Sequence, residues 1–340
     1  MNFVEHSERR GGVARRVFLL VGFGIVTALV VGFLWATATP GSSYEGPARQ
    51  PSDSALASRL ETHVRTLAAG PRNLQRLASV QHTIGYLTTE LRSYGYDPEL
   101  QEVVSPADNV IVRIPAAQPD APILIIGAHY DTAGSSPGAD DNASGVAALL
   151  ELARALKANS GTSPIELELV FYANEEPPHF KTNAMGSHVH AHSVEEPDDV
   201  LGMISIEAIG YYSENSGSQH YPFPLSLRYP SKGNFIAFVG DTSSRDFLRR
   251  MVGSFRENAR IPSVGGTAPA IIQGIDWSDH WAYSQRGIPA FMITDTAIFR
   301  NPHYHRPTDT AEKLDFGRMA LVVEGLEAML RSGLAKQSSN

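Results

Sequence analysis

The chain opens on an unbroken apolar block. "VFLLVGFGIVTALVVGFLWATAT" begins at Val17, and no charged residue occurs between Arg16 and Glu45. About 20 apolar residues wound as a helix span about 30 Å, the thickness of a bilayer core. The pattern changes after residue 54. Two amphipathic helical stretches come first, "ALASRLETHVRTLAA" and "VQHTIGYLTTELRSYG". Short, nearly continuous apolar runs then recur: "NVIVRI" at 109–114, "PILIIGA" at 122–128, "IELELVFYAN" at 165–174, "VLGMISIEAIG" at 200–210, "NFIAFVG" at 234–240 and "PAFMITD" at 289–295. Helical patterns separate several of them. Val146, Leu149, Leu150, Ala153 and Leu156 fall at helical spacing, with Asn142 or Ser144 as a cap. "SSRDFLRRMVGSFRENA" is a further helix, and the chain closes on "FGRMALVVEGLEAMLRSG". The alternation predicts an α/β fold with a mixed, mostly parallel central sheet sandwiched by helices. In such sheets ligands bind beyond the carboxyl ends of the strands.

Composition sharpens the organisation. Arg9, Arg10, Arg15 and Arg16 precede the apolar block, so the positive-inside rule keeps them cytoplasmic and exports the chain beyond the block. A cleaved signal is the rival reading. "ATAT" offers Ala36 and Ala38 for cleavage, and "ARRVFLL" loosely resembles a twin-arginine signal. The run is long for a signal peptide, which favours an uncleaved anchor; a buried core helix would leave the flanking charge accidental. Residues 40–54, "PGSSYEGPARQPSDS", read as a linker. The expected order is a cytoplasmic basic tail at 1–16, a membrane anchor at 17–39, the linker at 40–54, and one large domain at 55–335. The net charge is -8, and the first sixteen residues carry +2, so the remainder carries -10. An acidic body argues against nucleic acid as partner. The chain has no cysteine, which excludes disulfides, thiolate nucleophiles and cysteine-bound zinc. A metal here must be held by His, Asp and Glu. Nothing in the pattern fixes an oligomeric state.

The chemistry lies at the ends of the apolar runs. "PILIIGA" leads into His129 and Asp131, "IELELVFYAN" into Glu175 and Glu176, and "VLGMISI" into Glu207; a loop holding His303 and His305 comes after "PAFMITD". One acidic residue at a strand end is usually a cap or a solvated turn. Four strands delivering metal-competent side chains to the same place is a poor fit to chance. The stretch "GAHYDTAGSSPGADDNASG" adds Asp140 and Asp141, and Gly134, Gly138 and Gly145 let it bend and approach closely. Imidazole and carboxylate donors suit zinc, and a bridging carboxylate can hold two ions about 3.5–4 Å apart.

In order, "GAHYDT", "PGADDNASG", "NEE", "MGS", "IEAIG" and "YHRPTDT" resemble the co-catalytic di-zinc aminopeptidase family. Relatives of that family include bacterial leucyl aminopeptidases, glutamate carboxypeptidases and glutaminyl cyclases. The resemblance covers residues 55–330. It implies two zinc ions and a peptide substrate cut from its amino terminus. His129 and Glu207 would bind one zinc, Glu176 and His305 the other, and Asp141 would bridge them. Asp131 would orient His129, Glu175 would be the general base, and Tyr304 would donate to the oxyanion. Asp140 and His303 are the competing neighbours of Asp141 and His305, and the family's spacing favours the latter two. A loose cluster of His179, His188, His190 and His192 reads as a solvated loop or helix start, with a third metal as the sharper alternative. Trp277, Asp279 and His280 either line the substrate pocket or pack a helix. Two departures stand out: the family usually has Asp where this chain has Glu207, and the loop "EEPPHFKTNAMGS" is longer than the family's. The same site could instead serve glutaminyl cyclisation or carboxypeptidase chemistry, and a non-catalytic binding ectodomain would show degenerate ligand positions, which this chain does not.

Overall fold

A computed structural model describes residues 2–46 and 50–336; the side chains of 2–17, the four flanking arginines among them, and of 333–336 lie outside the description. Two units are described separately, Met1–Ala38 and Thr39–Asn340.

The first unit is one helix, α1 (Asn2–Thr37). Its backbone runs through the expected basic tail instead of starting near residue 17. The apolar part, Phe18–Thr37, is long enough to cross a membrane by length and composition. Its large apolar side chains from Phe18 to Trp35, Phe33 apart, are exposed. That exposure removes the core-helix reading, because a core helix would bury them.

The second unit is built on α2 (Leu56–Leu67), α3 (Leu77–Ser93), β1 (Glu99–Val104), β2 (Ala107–Ile114), β3 (Ile123–His129), α4 (Gly145–Leu156), β4 (Glu166–Tyr172), α5 (Gly186–Ser193), β5 (Val200–Glu207), β6 (Ile236–Asp241), α6 (Arg245–Asn258), β7 (Ser263–Ala268), α7 (His280–Ser284), β8 (Ala290–Thr294) and α8 (Phe316–Lys336). The eight strands form one sheet in the order β1-β2-β4-β3-β5-β8-β6-β7. The central four, β4, β3, β5 and β8, are mutually parallel. Antiparallel pairs flank them, β2 on β4 and β6 on β8. This is the expected mixed, mostly parallel sheet. Two strands escape the apolar pattern. β1 is an edge strand with no buried residue, and β7, "SVGGTA", carries two glycines.

Side chains alternate across the sheet because successive residues point to opposite faces. Leu124, Ile126 and Ala128 meet the layer made by α2, α3, α4, α6 and α8. Ile125, with Val170 and Met203, meets the thinner layer of α5 and α7. Burial on both faces explains the near-continuous apolar runs.

The described ends of the segment expected as a linker are held by hydrogen bonds. The Arg256 guanidinium donates to Thr39 Oγ1 at 2.9 Å, to the Pro40 carbonyl at 2.9 Å and to the Gly41 carbonyl at 3.2 Å. At the far end Glu324 accepts the amide of Asp53 at 2.9 Å. A guanidinium fork can satisfy several carbonyls at once, so one arginine fixes the segment.

Candidate metal centre and active site

The parallel strands end in register. His129 on β3 lies opposite Tyr172 on β4, and Glu207 on β5 opposite Thr294 on β8. Their carboxyl ends therefore share one edge, and the loops leaving them converge there. Two groups of metal-competent side chains form, His129–Asp141–Glu207 and Asp141–Glu176–His305, each with donor atoms within 4.8 Å of one another. Asp141 belongs to both. Its Oδ1 faces His129 Nε2 at 3.3 Å and its Oδ2 faces His305 Nε2 at 3.0 Å. Glu207 Oε2 lies 3.2 Å from His129 Nε2, and Glu176 Oε2 lies 3.1 Å from His305 Nε2. Glu175 stands at the edge of the first group, its Oε2 3.9 Å from His129 Nε2.

The backbone is bent to present these groups. Asn174, just before Glu175, Ala208, just after Glu207, and His305 itself have φ of 55°, 48° and 58°. Left-handed backbone at non-glycine residues costs of order 1 kcal/mol or more and gathers where the surroundings enforce it. Gly138 is also left-handed, and a Cβ there would collide with the Asp141 carbonyl and the Thr132 methyl. A Cβ on Gly145 would collide with Asn142 and the Ile206 carbonyl.

Three carboxylates act through the backbone. Asp131 faces His129 Nδ1 at 3.4 Å, long for a hydrogen bond. It also accepts the amides of Glu175 at 2.9 Å and Glu176 at 3.1 Å. Asp309 does the same for the amides of Asp140 at 3.0 Å and Asp141 at 3.2 Å. Asp140 is engaged elsewhere, accepting from the Gly210 amide at 2.9 Å and from Asn301 Nδ2 at 2.6 Å. Asn142 Oδ1 accepts the Gly145 amide at 3.1 Å, as a helix cap would, and Ala208's at 3.0 Å; Ser144 instead bridges the Asp140 carbonyl and the Ile209 amide.

Sequence reasoning missed three supports. Asp309 stands in the "YHRPTDT" stretch but carried no role. Ser278 Oγ donates to Glu207 Oε2 at 2.7 Å and is itself paired with Ser205 Oγ at 2.8 Å. Arg72, fully buried, donates to the carbonyls of Leu67, Tyr130, Pro137 and Gly138 and so shapes the loop before Asp141. Hydroxyls and backbone-directed groups leave no periodic signal in a sequence.

The remaining candidates separate by their contacts. His303 binds Thr308 Oγ1 at 2.9 Å and joins neither metal-competent group. The histidine cluster is divided: His188 and His192 stack at 4.0 Å, whereas His190 is buried, 3.1 Å from Glu168 Oε1 and 2.6 Å from Tyr283 OH. Among the described residues it forms no third metal-competent group. Glu168, buried near the middle of β4, is the partner of His190. Trp277 lines a cavity at the site, while Asp279 and His280 are buried, His280 on the Ile275 carbonyl.

The electrostatics call for cations. Asp131, Asp141, Glu175, Glu176 and Glu207 are all at most 7% exposed. Among the described residues their ion-pair partners are only His129 and His305. His129 Nδ1 and Glu176 Oε1 are buried without a hydrogen-bond partner. Such groups are costly unless paired or coordinated to a metal. Burial, with Asp141 beside it, pushes Glu176 up to about 8. Burial likewise raises Glu175 well above the carboxylate range against the pull of His129, with Glu207 and Glu176 adding to the rise. Burial works to lower His305, but Asp141 and Glu176 outweigh it and lift it to about 10. A donor set of imidazole nitrogen and carboxylate oxygen, short of positive charge, fits zinc.

Beside the site lies a cavity of about 110 Å³, with Glu207 and Tyr304 in its wall and otherwise mostly apolar lining such as Tyr229, Val264, Met292 and Phe299. Among the described residues, no lysine or arginine lines it. The Tyr304 ring stacks on His305 at 3.8 Å. Burial, and the nearby carboxylates, raise the Tyr304 phenol, so it stays protonated and can donate.

Comparison with known proteins agrees with this geometry. Residues 109–329 match the model of peptidase family M28. The Escherichia coli (strain K12) protein YfbL, described as uncharacterized, is 42% identical over 80% of this chain and 87% of its own length. Leucine aminopeptidase 1 of Trichophyton equinum is 26% identical over 62% of this chain. The matched part is 54%, about half, of that aminopeptidase's length. Among solved structures, LapB from Legionella pneumophila has a TM-score of 0.63 at 18% identity, covering 87% of this chain and 79% of its own. The zinc aminopeptidase of Bacillus subtilis has 0.54 at 21%, covering 69% and 52%. Tannerella forsythia glutaminyl cyclase has 0.58 at 21%, covering 81% and 97%. These structural likenesses concern the fold.

Proposed function

The chain belongs to peptidase family M28, and on that premise we propose that it is an exported, membrane-anchored zinc exopeptidase that removes amino-terminal residues from peptides. The observation that carries this reading is the sharing of Asp141 between two complete donor groups. His129, Asp141 and Glu207 would hold one zinc ion, and Asp141, Glu176 and His305 the other. When bound, the pair supplies Lewis acidity that activates water and polarises the scissile carbonyl.

The remaining chemistry belongs to the chain. Glu175 takes a proton at its carboxylate and passes it to the leaving amine; its burial raises its proton affinity toward the working range of a general base. Tyr304 OH donates to the developing oxyanion. Asp131 and Ser278 hold His129 and Glu207 in orientation, and Asp309 aims Asp141. The apolar cavity takes the first side chain. Its volume of about 110 Å³ and mostly apolar lining suit one apolar side chain. The absence of lysine and arginine from its lining disfavours a substrate carboxylate, while the surrounding carboxylates suit a free amine. Residues 55–335 would form the catalytic domain, with α1 as the anchor.

The alternative is glutaminyl cyclisation on the same site. A panel of aminoacyl, carboxy-terminal and glutaminyl reporters, run with zinc quantification, separates the two. Aminopeptidase action predicts hydrolysis that favours leucyl and phenylalanyl reporters, with two zinc per chain. One zinc per chain with cyclisation and no hydrolysis overturns it.

A further inference from the structure

We propose that the rim of the apolar cavity is a lipid-contacting surface that seats the cavity mouth at the headgroup level of a bilayer. The proposal deepens the reading of α1 as a membrane anchor and rests on it.

Seven large apolar side chains are exposed between Thr39 and residue 332, and five of them, Phe223, Leu227, Ile271, Trp277 and Ile298, lie on the segments that line this one cavity or directly beside its lining residues. The segments are tied to one another. The Phe299 carbonyl accepts the His220 amide at 2.9 Å, and the Phe299 ring packs on Gly274. Phe223, Leu227 and Ile271 are 77%, 76% and 92% exposed, so they stand out from the surface and do not line a groove. A peptide lying in the cavity would cover little of them; a bilayer surface would cover them together. Trp277 joins an apolar ring to a polar N–H, the side chain favoured at membrane interfaces. Exposed Arg228 and Lys232 sit on the same segment as Phe223 and Leu227, where they would meet anionic headgroups.

The entry of the chain points to the same end of the molecule. Only Ala38 separates the last residue of α1, Thr37, from Thr39, which Arg256 grips. The Thr39 methyl lies against Gly265, a lining residue of the cavity. The Gly265 carbonyl in turn accepts the hydroxyl of Tyr229, another lining residue, at 2.9 Å. A chain leaving a bilayer at Thr37 reaches the wall of this cavity within two residues.

The test uses the full chain reconstituted in phosphatidylcholine–phosphatidylglycerol vesicles with brominated acyl chains. Tryptophan emission is compared in Trp35→Phe and in Trp35→Phe with Trp277→Phe. The expected result is strong bromolipid quenching in the first and loss of that component in the second. The triple variant Phe223→Ser, Leu227→Ser, Ile271→Ser should lose at least half of the Trp277 quenching and keep its rate on a soluble aminoacyl reporter. Protein that stays in the vesicle pellet after an alkaline carbonate wash, with Trp277 unquenched, overturns the proposal. Release at that wash overturns the anchor reading instead, and Trp277 quenching in the released form on re-addition to vesicles upholds the rim contact. A triple variant with intact quenching and a reduced kcat/KM on soluble peptides assigns the rim to substrate, and the lipid proposal falls.

Discussion

Two of the places where the molecule buries carboxylates treat them differently. Glu151 on α4 is 1% exposed, yet both of its oxygens have partners. Oε2 accepts from Arg59 at 2.9 Å and from Arg154 at 2.9 Å, and Oε1 faces His63 Nε2 at 3.3 Å. Burial works to raise its pKa, but those three partners win and it is lowered. At the strand ends five carboxylates share two imidazoles, some donors have no partner, and Glu176 is raised to about 8. A buried acid whose partners are all within the chain serves the fold. A buried group of acids left short of positive charge is a site awaiting cations.

The sharpest break between the regions is catalytic. Glu175→Gln is expected to cut kcat by about 10³-fold or more, within reach of a general-base loss, and to leave zinc content unchanged by elemental analysis. Retained turnover would remove Glu175 from the base role. Exchanging acids for amides in each region comes next. Asp141→Asn should lose both zinc ions and change the fold little. Glu151→Gln should keep both ions and lower stability by about 2 kcal/mol, less than a fully buried pair because Arg59 and Arg154 reach solvent. Denaturant melts with parallel zinc assays read both; zinc loss from the Glu151 variant would erase the distinction.

The two regions also respond to pH with opposite sign. Glu151 has a lowered folded pKa, so its contribution is complete above the unfolded value and fades as pH falls below about 4.3. In the metal-free protein Glu176 and His305, raised to about 8 and about 10, bind protons more tightly folded than unfolded. The chelated protein should therefore melt at progressively lower temperature between about pH 5 and pH 8, and zinc should abolish that slope. Parallel slopes with and without zinc would contradict the proposed ligand set. The smallest expected effect is Ser278→Ala, which should weaken zinc retention about 10–100-fold against a chelator without unfolding the chain.

Much of this was legible in the sequence, for identifiable reasons. Strands covered on both faces must be apolar on both, so β2 to β6 and β8 stand out as runs, and the carboxyl ends of β3, β4 and β5 carry His129, Glu175, Glu176 and Glu207. β1 and β7 do not stand out, because an exposed edge and a glycine pair carry no apolar signal. His129, Asp131, Asp141, Glu175, Glu176, Glu207 and His305 converge as a set. Arg72, Ser278 and the buried His190 were not legible, since each acts through a partner far away in the chain. The grip of Arg256 on residues 39–41 was not legible either.

The hold of Asp309 on the amides of Asp140 and Asp141 has a consequence in time. It spans 168 residues for Asp141, so it closes only after nearly the whole domain has been synthesised. Contacts of such long sequence separation form late, because the chain entropy of closing the loop must be overcome first. Until then the carboxylate proposed to serve both ions lacks this hold on its backbone amide. Metal capture at the proposed shared ligand is therefore expected late in folding, after this closure.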